Sequence, residues 1–135
     1  MRFADTNVLL YAISRDPVEQ EKAAAATEIL AGRDVALSVQ VIQEFYVQAT
    51  RRTRSDRLTH AQAIGLVESF LRFPVIDLSP PIMLAAAATS DRFQISYWDA
   101  AIIEAARRLG CSTVLSEDLN TGQDYAGVRV ENPFA

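Results

Sequence analysis

A single cysteine, Cys111, leaves no partner for an internal disulfide, the usage expected of a chain kept in a reducing cytoplasm. A single histidine, His60, leaves no second imidazole for the acid–base pair that turns RNA into a cyclic phosphate. Expected in the exposed first turn of a helix, it is also a poor candidate for a serine hydrolase triad. Lysine is nearly missing: Lys22 is the only one, so the positive charge is almost all arginine. No apolar run approaches the ~20 residues of a membrane span, and the stretch before Asp5 has no signal-peptide pattern. Repeats, low-complexity segments and linkers are lacking too. With 135 residues, half of them hydrophobic, the chain is expected to form one cytoplasmic domain over residues 1–135. The net charge of −4 excludes a nucleic-acid binder that works by bulk charge alone. It does not exclude a nuclease whose metal ions offset its own acids.

What is present is organised around Arg2-Phe3-Ala4-Asp5-Thr6-Asn7-Val8-Leu9-Leu10-Tyr11. A very short apolar strand runs into an aspartate, and a helix over residues 6–14 starts at once. Asp16-Pro17 opens a second helix that runs through alanines to Gly32, with Pro17 at home in a first turn. Val35–Leu37 reads as a strand, and Ser38 caps a helix over residues 39–50. In that helix Val39, Ile42, Phe45, Tyr46 and Ala49 form an apolar stripe, while Gln40, Gln43, Glu44 and Gln48 form a polar one. Thr59 opens a helix reaching Phe73, residues 75–78 read as a strand, and Pro80-Pro81 starts a helix ending near Thr89. Residues 90–95 are expected to be a loop. Ser96 then caps a helix in which Asp99 lines up with Ile102, Ile103 and Ala106, with Glu104, Arg107 and Arg108 on the solvated side. Gly110 ends it as a left-handed cap would. Residues 113–116 form the fourth strand, and residues 128–130 the last. Strands alternating with helices predict a parallel sheet between two helical layers, with all strand carboxyl ends on one edge.

That edge is where the acids fall. Asp5 and Glu117-Asp118 follow strands, and the first turn of the Asp99 helix can face the same side. Each has an ordinary structural reading: Asp5 as a helix N-cap, Asp99 as half of a capping box with Ser96, Glu117-Asp118 as a turn. Gathered, they would repel one another by about 1 kcal/mol per pair at ~4 Å in water and about 4 where partly shielded. Such a cluster calls for raised pKa values or a bound cation. Oxygen ligands without thiols or paired imidazoles select Mg²⁺ or Mn²⁺. One or two such ions, about 3.5–4 Å apart if two, suit phosphodiester hydrolysis by activated water, leaving a 5′-phosphate. The cluster Arg51, Arg52, Arg54 and Arg57 reads either as a solvated helix end or as a rim for RNA phosphates or a partner. Asp5-Thr6-Asn7 after the first strand also superficially suits an aspartyl nucleophile for phosphoryl transfer, but Lys22, expected mid-helix, is badly placed for it.

The segments Asp5-Thr6-Asn7-Val8-Leu9, Gln43-Glu44-Phe45, Trp98-Asp99-Ala100 and Ser116-Glu117-Asp118-Leu119 resemble, in order and rough spacing, the PIN domain family. The closing Val130-Glu131-Asn132-Pro133-Phe134 resembles the tail of its VapC-like toxins. This resemblance implies an α/β/α sandwich with a mainly parallel five-stranded sheet. It implies a Mg²⁺- or Mn²⁺-dependent ribonuclease centre in which Asp5, Glu44 and Asp99 hold metal and Asp118 is the fourth acid, with Glu117 as its alternative. Thr6 and Ser116 match positions where a hydroxyl orients a carboxylate or water. The resemblance further implies a homodimeric toxin of a type II pair, blocked by a cognate antitoxin. Val41, Val47, Ile64 and Phe70 are candidates for a dimer face or for ordinary core. A catalytically silent PIN-like module that binds RNA or protein is the alternative.

Overall fold

The computed structural model describes residues 1–135. Along the chain lie β1 (Arg2–Ala4), α1 (Thr6–Ala12), a 3₁₀ turn (Pro17–Glu19), α2 (Gln20–Ala31), β2 (Val35–Ser38), α3 (Val39–Ala49) and α4 (His60–Phe70). They are followed by β3 (Val75–Ile76), α5 (Pro80–Phe93), α6 (Tyr97–Arg108), β4 (Thr113–Leu115), β5 (Asp124–Tyr125) and β6 (Val128–Glu131). The central strands are apolar at successive positions because both faces of the sheet are covered. Side-chain caps fix where several helices begin. Ser38 Oγ accepts the N–H of Val41, Ser96 Oγ accepts that of Asp99, and Thr59 with Gln62 closes a reciprocal capping box.

The sheet order is β3-β2-β1-β4-β6-β5. All pairings are parallel except the last, where β5 turns back on β6. The chain builds outward from β1 to β2 to β3, then crosses back to β4 on the other side of β1. Right-handed crossovers therefore put α1 to α4 over one face and α5 with α6 over the other. The direction reverses between β1 and β4, and a doubly wound sheet opens a crevice at the carboxyl ends of such a strand pair. Phe3, Leu37, Phe45, Val114 and Leu115 are wholly buried in the core, and Phe45 meets Phe70 edge to face at 5.0 Å between ring centroids.

The sheet has six strands where five are expected. The extra one is the two-residue β5, joined to β6 through Ala126 (φ 52°) and Gly127 (φ 100°). Two successive positive φ values match the twist of a tight hairpin, and Asp124 Oδ1 accepts the Gly127 N–H at 2.6 Å. Residues 90–93 are helix, not loop: α5 runs on to Phe93 and stops where Gln94 turns left-handed at φ 54°. Nothing in Ser90-Asp91-Arg92 breaks a helix; these residues only favour ends.

Several boundaries are shorter than expected. α1 ends at Ala12, α4 at Phe70, β3 at Ile76 and β4 at Leu115. A 3₁₀ turn precedes α2 because Pro17 and the Asp16 cap, which accepts the Val18 N–H, tighten its entry. Val41 and Phe70 belong to the core and are removed from any dimer face. Val47 stays 55% exposed on an apolar groove shared with Val39, Ile42, Tyr46, Ile64, Val67 and Leu71. No helix is long and apolar enough to cross a membrane.

Candidate active site

Asp5 follows β1 directly and caps α1, its Oδ1 accepting the Thr6 N–H at 2.8 Å. Its other oxygen accepts the Ser116 hydroxyl at 2.8 Å from the end of β4. The side chain is therefore pinned across the β1–β4 reversal and only 8% exposed. Burial pushes its pKa from 3.8 up to about 6. The Ser116 and Thr6 hydrogen bonds pull against that rise, and the charges of Glu44 and Asp118 add to it. Asp5 thus feels two other acids with no cation beside it.

Glu44 comes from α3, and its Oε2 accepts the Thr6 hydroxyl at 2.7 Å. Gln40, one turn earlier, donates to Glu44 Oε1 at 3.3 Å and to the backbone carbonyl of Trp98 at 3.3 Å. Three of the four residues in the polar stripe of α3, Gln40, Glu44 and Gln48, consequently line a cleft wall, while Gln43 stays exposed outside it. Asp99 stands in the first turn of α6. Ser96 holds its backbone N–H at 3.0 Å, which is half a capping box; α6 lacks the reciprocal bond from the carboxylate, which faces the cleft.

Ser116 is fully buried, and its Oγ also gathers the N–H groups of Asp118 (3.1 Å) and Leu119 (3.3 Å). Asn7 ties this turn to α1: its Nδ2 donates to Asp118 Oδ2 at 3.2 Å, and its Oδ1 accepts the Glu117 N–H at 3.3 Å. The two adjacent acids have different partners. Glu117 is taken up by Lys22 Nζ at 2.7 Å and by the Tyr11 hydroxyl at 2.5 Å. The Lys22 bond, then the Tyr11 bond, hold its pKa below the ordinary value. Asp118 is exposed and meets no cation.

Asp5, Glu44, Asp99, Asp118, Glu117 and Thr6 all line one cleft of about 300 Å³, at the edge the alternating pattern predicts. Of the arginines, Arg54 lines it, its Nε ion-paired with Asp56 Oδ1 at 2.9 Å. Arg51 lies beside Glu44 and Gln48 in a neighbouring hollow, and Arg52 and Arg57 are exposed away from the cleft. Sequence reasoning missed Asn7, Tyr11, Lys22 and Gln40. Asn7 carried a signal, two residues after the capping aspartate; Lys22 and Tyr11 reach Glu117 only through the fold. Lys22, expected mid-helix, falls in the first turn of α2 and pairs with Glu117.

No three of the acids already meet at one point. Like charges without a counter-ion stand apart, and the donor set of carboxylate oxygens without thiol or imidazole suits a hard divalent cation. The fold and this cleft define an α/β/α protein with an acidic site at the carboxyl edge of a parallel sheet. Comparison with known proteins narrows the class. The chain belongs to the PIN domain family, whose profile matches residues 2–123. It is similar in structure to a chain of a toxin–antitoxin complex from Klebsiella pneumoniae, at TM-score 0.72 and 20% identity over 99% of this chain and 98% of that one. VapC20 of Mycobacterium tuberculosis, described as a sarcin–ricin loop cleaving toxin, gives TM-score 0.68 and 19% identity over 87% and 92%. FitAcB from Neisseria gonorrhoeae gives 0.69 and 23% over 98% of each chain. No curated protein matches by sequence.

Proposed function

We propose that the chain is a Mg²⁺- or Mn²⁺-dependent endoribonuclease and the toxin of a type II toxin–antitoxin pair, a cytoplasmic homodimer held silent by a cognate antitoxin. The observation that carries this is the buried Asp5, which feels the charges of Glu44 and Asp118 while no basic side chain pairs with any of the three. Asp5, Glu44, Asp99 and Asp118 are the residues that would hold the ion. When bound, it supplies an activated water and stabilises charge on the leaving oxygen. Thr6 and Ser116 fix the rotamers of Glu44 and Asp5 in advance, and Asn7 anchors the turn that presents Asp118. Glu117, satisfied by Lys22 and Tyr11, is structural; Asp118 is the fourth acid. The toxin role rests on the family together with relatives solved as toxin–antitoxin complexes.

The phosphoryl-transfer rival draws no support from the site: Lys22, the only lysine, is spent on Glu117. Purified protein should cut RNA with Mg²⁺ or Mn²⁺, and should lose that activity in chelator and in Asp5→Asn or Asp99→Asn. Calorimetry should record Mn²⁺ binding that those variants lose. Full cutting in chelator would overturn the metal mechanism, and intact folding with neither cutting nor Mn²⁺ binding would leave the silent module. A small reading frame beside the gene whose product copurifies with the chain and stops cutting would establish the antitoxin.

A further inference from the structure

Trp98, the only tryptophan, is 62% exposed although the helix it opens is buried from Ala100 to Ala106. A large aromatic left in water forgoes its hydrophobic gain, so its position relative to other groups matters. It lines the acid cleft itself, next to Asp99. Its backbone is fixed, since Gln40 binds the Trp98 carbonyl with the same amide that reaches Glu44. Tyr97 meets the indole edge to face at 5.0 Å between ring centroids, which steadies the ring while leaving most of it open. The cleft also holds Arg54, whose Nε is ion-paired with Asp56 Oδ1 at 2.9 Å. A carboxylate cluster, an exposed indole and a guanidinium in one hollow match the three parts of a nucleotide chain: scissile phosphate, base and neighbouring phosphate.

We infer that Trp98 is a stacking platform for one unpaired base beside the scissile phosphate, with Arg54 contacting an adjacent phosphate. The inference rests on the nuclease reading and adds a specificity to it. Stacking on an indole uses the face of a base, which is open only when the base is unstacked, so single strands and loops are chosen over duplex. Every base has such a face, so the platform selects structure more than sequence. Leu78, Met83 and Leu84, also exposed, do not line the cleft and are not part of this subsite.

Because no second tryptophan contributes, fluorescence reports on this subsite alone. In Mg²⁺, rapid mixing with a short oligoadenylate should quench the emission saturably before cutting. The same strand annealed to its complement should quench far less. Trp98→Ala should weaken oligoadenylate binding, followed by anisotropy of a labelled strand, and raise KM by about tenfold. Trp98→Phe should restore most of both, and Mn²⁺ affinity should be unchanged in either variant. Unaltered affinity in Trp98→Ala, or equal quenching by duplex, overturns the platform. So does emission already blue-shifted without RNA together with a Trp98→Ala protein that falls from dimer to monomer, since a second copy would then cover the ring. Metal-dependent cutting without quenching sinks the platform and spares the nuclease; quenching without cutting does the reverse.

Discussion

Replacing Asp5 by Asn should stabilise the metal-free protein at neutral pH while destroying its metal site. The reasoning starts from the pKa, which burial chiefly raises from 3.8 to about 6. A group that holds its proton more tightly when folded destabilises the fold wherever it is forced to ionise. The penalty is absent below the unfolded value near 3.8, grows as pH rises, and is complete above about 6. The gap is worth about 3 kcal/mol. Asparagine removes that charge but keeps one acceptor, so it can satisfy the Thr6 N–H or the Ser116 hydroxyl and not both as now. One lost hydrogen bond returns about 1 kcal/mol of the gain, leaving about 2 kcal/mol net at pH 8. For a chain of this length that is a Tm higher by roughly 5 °C or more.

The assay is a pair of thermal melts in chelator across pH 4 to 8. Asp5→Asn should melt above wild type at pH 8, and its advantage should shrink from pH 6 downward and reverse near pH 4. Adding Mn²⁺ should raise the wild-type Tm and leave the variant unmoved. A variant less stable than wild type at pH 8 in chelator, or an advantage that ignores pH, would refute the claim that Asp5 is a strained charge awaiting a cation.

The same proton competes with metal, so the apparent Mn²⁺ affinity of wild type should fall about tenfold per pH unit below about 6, checked by calorimetry. Glu117→Gln and Asp118→Asn separate the neighbouring acids. Asp118→Asn should lower Mn²⁺ affinity by roughly 10–100-fold, while Glu117→Gln should change it little, because its partners are Lys22 and Tyr11. Equal losses would show that both acids reach the ion. Ala126→Gly should raise stability by about 0.5 kcal/mol, since φ 52° is unfavourable for alanine by more than the added freedom of the unfolded chain. A lower midpoint in urea would count against that hairpin geometry.

Much of the fold was readable because its signals are local. Asp5, Ser38, Thr59 and Ser96 each cap the helix expected of them, and the alternation of elements implies the parallel sheet and the shared edge of its strand carboxyl ends. The failures share a cause. β5 was missed because Tyr125-Ala126-Gly127 has no residue at its first turn position that favours positive φ; tertiary contact holds Ala126 there, with Arg107 Nη1 bound to its carbonyl at 2.6 Å. Residues 90–93 form the last turn of α5, which ends only where Gln94 turns left-handed. Glu44 was ambiguous for the opposite reason. A polar stripe looks identical whether it faces water or a cleft, and the Thr6 hydroxyl that distinguishes the two lies 38 residues away.

Helix α6 shows what pattern alone could not decide about the acids. Periodicity placed Asp99 on the buried side and Glu104 in solvent, yet Glu104 is 7% exposed under α5 and Asp99 stands half-buried in the cleft. Burying Glu104 is tolerable because Arg107 binds it at 3.0 Å, Thr89 donates to it at 2.9 Å, and Arg107 in turn reaches the carbonyls of Tyr125 and Ala126. Glu117 with Lys22 and Asp56 with Arg54 are paired in the same way, each acid with a basic partner from the chain. Asp5, Glu44, Asp99 and Asp118 have none, though they share one hollow and Asp5 is almost wholly withdrawn from water. Burial therefore does not separate the four unpaired cleft acids from Glu104, Glu117 and Asp56, whereas the counter-charge does. That property belongs to pairs of side chains, so it becomes visible only once the chain has folded.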